Sequence, residues 1–111
     1  MVVLITGASG GLGSVLGQTL TAAGMTVYGT ARDPGPALQN GMPILALDVT
    51  STESVRRCIQ ELHEREGRID VVINCVNQMI LGSTEETSPE ELSALYDVNV
   101  FGVHRVCQAI L

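Results

Sequence analysis

Thr6-Gly7-Ala8-Ser9-Gly10-Gly11-Leu12-Gly13 is the stretch whose residue types could do chemistry. An apolar run ends at Thr6, and a helical pattern begins as the glycines end. Glycines 7, 11 and 13 give the spacing Thr-Gly-x-x-x-Gly-x-Gly. Each glycine has a separate physical use. Gly7 allows a sharp turn off a strand, Gly11 lets backbone approach a pyrophosphate, and Gly13 lets the following helix pack close to the sheet. Ser9, Gly10 and Leu12 belong to the same turn. A helix starting here exposes N–H groups with no partner of their own, and its peptide dipoles leave that end partly positive. The chemistry this favours is the binding of a phosphate or pyrophosphate.

One later residue could extend such a site. Arg32 follows the glycine turn by about 20 residues, at the end of the next apolar run, where a side chain can choose between nucleotides. A carboxylate there accepts from a ribose 2′-hydroxyl, whereas a guanidinium attracts a 2′-phosphate. Asp33 is its neighbour, and Gly10 brings no second basic group to the turn. Asp48-Val49 and Asn74 each stand at the end of a later apolar run. Asn99 lies in a long apolar helix pattern. His63 and His104 sit in helical contexts without ligands at metal spacing, so no metal site is expected. Glu85-Glu86 and Glu90-Glu91 read as loop solvation and helix N-terminal charge.

The elements that must position these residues follow from periodicity. Val2–Thr6 is apolar and β-branched, as a strand covered on both faces requires. Leu12, Val15, Leu16, Leu20 and Ala23 draw a helix stripe, ended by Gly24. Thr26–Ala31 is a second strand. The Gly- and Pro-rich stretch from Asp33 to Met42 has little room for a helix and is expected as a loop or single turn. Ile44–Leu47 is a third strand. Thr50-Ser51-Thr52-Glu53 has the form of a capping box. The helix it opens turns Val55, Ile59 and Leu62 inward and closes at Gly67. Val71–Asn74 is a fourth strand, and 77–87 a polar loop. Ser88-Pro89-Glu90-Glu91 then starts a helix carried by Leu92, Leu95, Tyr96, Val100, Val103, Val106, Cys107 and Ile110. Alternating strands and helices specify an α/β fold. A Rossmann-like, doubly wound parallel sheet with strand order 3-2-1-4 is expected, as one domain over 1–111.

Composition narrows the function classes. The net charge is −6 over 111 residues, which argues against nucleic acid as a partner. No stretch approaches the apolar length of a membrane span. Cys58, Cys75 and Cys107 are read as buried free thiols in a reducing, cytoplasmic compartment. All six cations are arginines, and there is no lysine.

Taken together, the motifs resemble those of the short-chain dehydrogenase/reductase family. The glycine turn resembles its cofactor signature. Leu47-Asp48-Val49-Thr50 resembles the segment beside the adenine ring. Asp70-Val71-Val72-Ile73-Asn74 resembles the strand leading to the family's Asn-Asn-Ala-Gly motif, here Asn74-Cys75-Val76-Asn77. Asp97-Val98-Asn99-Val100-Phe101-Gly102 resembles the segment carrying its structural and catalytic asparagine. The resemblance covers essentially the whole chain. It implies a nicotinamide cofactor, with NADP favoured over NAD by Arg32, held by Gly7, Ser9, Gly10, Gly11, Leu12, Gly13, Arg32, Asp48, Val49, Asn74 and Val76. It also implies Asn99 as the catalytic residue present, and hydride transfer to or from a carbonyl or alcohol carbon of a small-molecule substrate. Homo-oligomers through the last helix are possible on the same ground. Asn77 replaces the motif's glycine, which puts the floor of the site in question. The family's Tyr-x-x-x-Lys pair cannot occur without lysine. The expectation is therefore the cofactor-binding portion of an oxidoreductase, incomplete and inactive alone. A non-catalytic nucleotide-binding or interaction module and a non-functional fragment stay open as alternatives.

Overall fold

The computed structural model describes residues 1–35, 38, 39 and 41–111. Its elements are β1 (Val2–Thr6), α1 (Gly11–Ala22), β2 (Thr26–Ala31), β3 (Leu38–Gln39), β4 (Met42–Ala46), α2 (Thr52–Glu66), β5 (Val71–Asn74), α3 (Pro89–Tyr96), a π-helical segment (Asp97–Gly102) and α4 (Val103–Ile110). The sheet order is β3-β4-β2-β1-β5. Its four longer strands are parallel and follow the expected 3-2-1-4 order, with β1 paired to β2 on one side and β5 on the other. Two-residue β3 is an addition. It forms the sheet edge and pairs antiparallel with β4, Leu38 opposite Pro43 and Gln39 opposite Met42.

Strand alternation sends successive residues to opposite faces. Val2 and Leu4 join Tyr28, Leu45, Val55, Ile59, Leu62 and Val106 beneath α2 and α4. Val3 and Ile5 join Val27, Met42 and Ile44 beneath α1. Both faces of β1 are thus covered, and all five of its residues are buried.

The stripe expected on α1 is shifted. Leu12 and Val15 are exposed, while Gly13 and Gly17 are buried and Leu16 and Leu20 pack on the core. The helix lies close to the sheet at Gly17, where a Cβ would come within 2.6 Å of the Met42 sulfur. A short helix–sheet distance buries the glycine positions and turns the larger side chains aside. Gly24 and Gly67 end α1 and α2 with φ of 88° and 75°, as expected.

Two further expectations are corrected. The cap of α2 is Ser51, whose hydroxyl accepts from the Ser54 N–H. Thr50 instead donates its hydroxyl to Asp48. The last helix is interrupted by the π-helical segment. Val98, Gly102 and Val106 face inward across the wider turn, whereas Leu92, Tyr96 and Val100 are exposed.

Candidate functional site

A cleft of about 300 Å³ opens at the C-terminal ends of the parallel strands. The β1–α1 turn supplies Gly7, Ser9 and Gly10 to its wall. Thr30, Ala31 and Arg32 come from the end of β2. Leu47 to Thr50 follow β4, Cys75 to Gln78 follow β5, and Val98 comes from the π-helical segment. The chain crosses from β1 to one neighbour through α1 and returns later to the other. The two connections diverge at β1, and that divergence opens the cleft.

The turn at the base is fixed by its own backbone. Gly7 has φ of 71°, and a Cβ on it would sit 2.9 Å from the Val76 nitrogen. A Cβ on Gly13 would sit 2.5 Å from the Gly7 carbonyl oxygen. Gly13 therefore serves the folding of the turn on itself, and Gly17 serves the approach of helix to sheet. The Gly7 N–H donates to the Thr30 hydroxyl at 3.3 Å and the Ala8 N–H to the Thr30 carbonyl at 3.0 Å. On the other side, the Cys75 N–H donates to both the Thr6 carbonyl and hydroxyl. Thr6 and Thr30 are fully buried. Neither announces this role in the sequence, because a threonine in a β-rich run is ordinary.

The three loop-capped helices differ at their starts. Ser51 and Ser88 each accept a first-turn N–H of α2 and α3, and Glu53, Glu90 and Glu91 add negative charge there. The start of α1 has Gly10 as its cap, no side-chain acceptor and no acidic residue in its first turn. Nothing lies within 4 Å of where a Cβ on Gly11 would be. The helix end that faces the cleft is thus the one left without an internal anion. The charge and the open space at this helix start suit a phosphate.

Electrostatics on the far wall point the same way. Asp48 accepts from the Thr50 N–H at 3.0 Å and from its hydroxyl at 2.7 Å. These bonds, helped by the charges of Arg32 and Arg105, hold its carboxyl below the usual carboxylate range. Among the described residues, Arg56, Arg57, Arg65, Arg68 and Arg105 each pair with a carboxylate, and Arg32 does not. Its side chain is exposed at the cleft edge.

Of the residues expected to hold a cofactor, Gly7, Ser9, Gly10, Arg32, Asp48, Val49 and Val76 line the cleft. Gly11, Leu12 and Gly13 continue the turn into α1 outside its lining, and the Leu12 side chain faces solvent. Asn74 is turned away. The Thr6 hydroxyl donates to its Oδ1 at 3.5 Å, and its Nδ2 donates to the Cys107 sulfur at 3.9 Å. Asn99 is also committed elsewhere: its Nδ2 donates to the Gln78 carbonyl and its Oδ1 accepts from the Gln78 N–H, both at 2.8 Å. It clasps the loop after β5. Asn77 stands in the cleft wall, exposed. Of the thiols, Cys58 is buried and its pKa pushed up to about 12 by that burial, while Cys75 and Cys107 are half-buried.

Comparison with known proteins decides the family. The sequence profile of the short chain dehydrogenases matches residues 1–111. The chain belongs to the short-chain dehydrogenase family. A 3-ketodihydrosphingosine reductase of Bacteroides thetaiotaomicron is 39% identical over 110 residues, covering 99% of this chain and 40% of that protein. The chain therefore spans about two-fifths of that relative's length. A short-chain dehydrogenase from Streptomyces avermitilis superposes with a TM-score of 0.86 at 36% identity, over 98% of this chain and 42% of the other. A 3-ketoacyl-(acyl-carrier-protein) reductase from Brucella melitensis, solved in complex with NADH, shares the fold at a TM-score of 0.89 and 24% identity, over 99% of this chain and 48% of that one. Short-chain dehydrogenases as a family bind a nicotinamide nucleotide and act on small molecules.

Proposed function

We propose that these residues form the NADP(H)-holding portion of a short-chain oxidoreductase that passes a hydride between nicotinamide and a carbonyl or alcohol carbon. The observation that carries this is the start of α1. It alone among the three loop-capped helices lacks both a side-chain cap and acidic first-turn charge, and it faces the cleft. Its N–H groups receive the pyrophosphate. Gly7 and Gly13 keep the turn compact beneath it, and the open side of Gly11 admits it. Asp48 and Val49 would hold the adenine half, and Val76 the nicotinamide half. Asn99 acts through its clasp on Gln78, and Asn74 through its hold on β1 and α4, so both position the site.

The preference for NADP rests on Arg32, whose guanidinium stands at the cleft edge without a carboxylate partner among the described residues. A 2′-phosphate supplies that partner. The hydride is supplied by the nicotinamide ring when bound, and these residues bind and orient it. Tyr-x-x-x-Lys is not among the 111 residues, so proton transfer is assigned to none of them. A reducing, cytoplasmic setting suits three free thiols.

Titration of wild type and Arg32→Ala with NADPH and with NADH tests the reading. Loss of Arg32 weakens NADPH by about 1.5–3 kcal/mol, the worth of a charged hydrogen bond, and leaves NADH nearly unchanged. Equal losses for both cofactors would reject the assignment.

A further inference from the structure

Arg105 stands on α4, outside the cleft lining, yet its guanidinium reaches back to the cleft wall. Nη1 donates to the Val49 carbonyl at 2.9 Å and to the Asp97 carbonyl at 3.3 Å. Nη2 donates to the Asp97 carboxylate at 2.6 Å. The Arg105 side chain is 23% exposed and that of Asp97 is 37%, so the clamp is half-buried. Val49 is held a second time through its side chain. A Cβ on Gly102 would sit 2.7 Å from Val49 Cγ2, so that methyl occupies the space a larger residue would take. Val49 is flanked by Asp48 and Thr50, and the three form one wall of the cleft. The opposite wall, at Gln78, is clasped by Asn99 from the same π-helical segment. One interrupted helix thus grips both sides.

We propose that Arg105 is a positioning residue for the nucleotide. It fixes the Asp48–Thr50 wall to the π-helical segment, so that the adenine half meets a wall already in place. This rests on the cofactor reading above. A planar guanidinium reaches two carbonyls and a carboxylate at once, whereas an ammonium on a flexible stem is a single point of charge. A wall without the clamp must be ordered by the ligand, which weakens binding of the half that touches it.

Two small ligands separate the walls. Adenosine 5′-monophosphate touches both the glycine turn and the Asp48–Thr50 wall, and inorganic pyrophosphate touches the turn alone. In Arg105→Met, the affinity for the nucleotide falls about tenfold and that for pyrophosphate stays within about twofold. Hydrogen exchange at the Thr50 and Ser51 amides quickens in the free variant, while that of α1 stays as in wild type. Arg105→Lys recovers part of the loss. Asp97→Asn, which keeps the bond to Val49, loses less than Arg105→Met and serves as the milder variant if the methionine change impairs folding. Wild-type affinities and unchanged exchange in Arg105→Met overturn the proposal alone, as does parallel weakening of both ligands. Failure of the wild type to bind either ligand overturns the cofactor reading, and the proposal with it.

Discussion

Alanine at Gly11 and at Gly13 should have opposite consequences, although the two glycines are two residues apart on one helix turn. At Gly13 the added carbon would lie 2.5 Å from the Gly7 oxygen, 2.9 Å from the Ala8 Cα and 3.1 Å from the Gly7 carbonyl carbon. All three are backbone atoms of a turn tied to Thr30. None can swing away as a side-chain tip could. Overpacking of this kind costs about 1–3 kcal/mol, against a helix-propensity gain of at most about 1 kcal/mol. Gly13→Ala therefore loses stability, and a loss of 1 kcal/mol lowers Tm by roughly 4–8 °C in a domain of this size. At Gly11 nothing lies within 4 Å of the added carbon. The free protein then holds its Tm or gains a few degrees, by about 0.5 kcal/mol of backbone entropy. Its NADPH affinity falls, because the methyl occupies the approach of the pyrophosphate. The loss of a charge-assisted bond is about 1.5–3 kcal/mol, or ten- to a hundredfold in Kd. Thermal melts and NADPH titrations of the two variants are sufficient. A Gly11→Ala protein that binds NADPH as wild type does would refute the reasoning, since it would mean that no phosphate comes near that carbon.

Other perturbations bear on the cleft and on the core beneath it. Gly10 lines the cleft with φ of −86°, and a Cβ there would lie 3.9 Å from its nearest neighbour. Gly10→Arg should fold normally and raise the preference for NADPH over NADH, measured as the ratio of the two Kd values. Asp48 has its carboxyl held below the ordinary value of about 3.9 by Thr50. Its contribution to stability is present above that ordinary value and is lost as pH falls through the lower, folded one. The stability difference between wild type and Asp48→Asn in urea should thus shrink below about pH 4, and an undiminished difference would remove the Thr50 bonds as its cause. The Tyr28 hydroxyl donates to Glu66 at 2.7 Å, which raises the phenol's pKa. Tyr28→Phe should cost about 1–2 kcal/mol by chemical denaturation. That difference persists up to about pH 10 and disappears as pH rises through the raised value.

Much of this arrangement was legible in the residues, and the parts that were not have physical reasons. The order β4-β2-β1-β5 was legible from the doubly wound pattern that the glycine turn and the strand–helix succession suggest, although no helix separates β2 from β4. β3 could not, because two residues carry no periodicity. The glycine turn was legible as a turn, but the division of labour between Gly13 and Gly17 depends on where Met42 lies across the sheet. Thr50 looked like a cap from its spacing to Glu53. Asp48 competes for its hydroxyl, and Ser51 takes the cap. The π-helical segment was hidden because Leu92, Tyr96 and Val100 continue an ordinary helical stripe, and only the packing of Gly102 on Val49 shows the register to have changed. Arg105 was hidden for a related reason: an arginine on a helix reads as a solvated face until its acceptors are known.

The proposed site puts NADPH across the C-terminal ends of the strands, with its pyrophosphate on the bare start of α1. Backbone amide NMR of the isotopically labelled chain during NADPH titration tests it directly. Saturable shifts are expected at Ser9 to Gly13, at Arg32 and at Asp48 to Thr50, with the α3 amides unmoved. Saturable shifts that leave the glycine turn untouched, or no saturable shift at all, would contradict it.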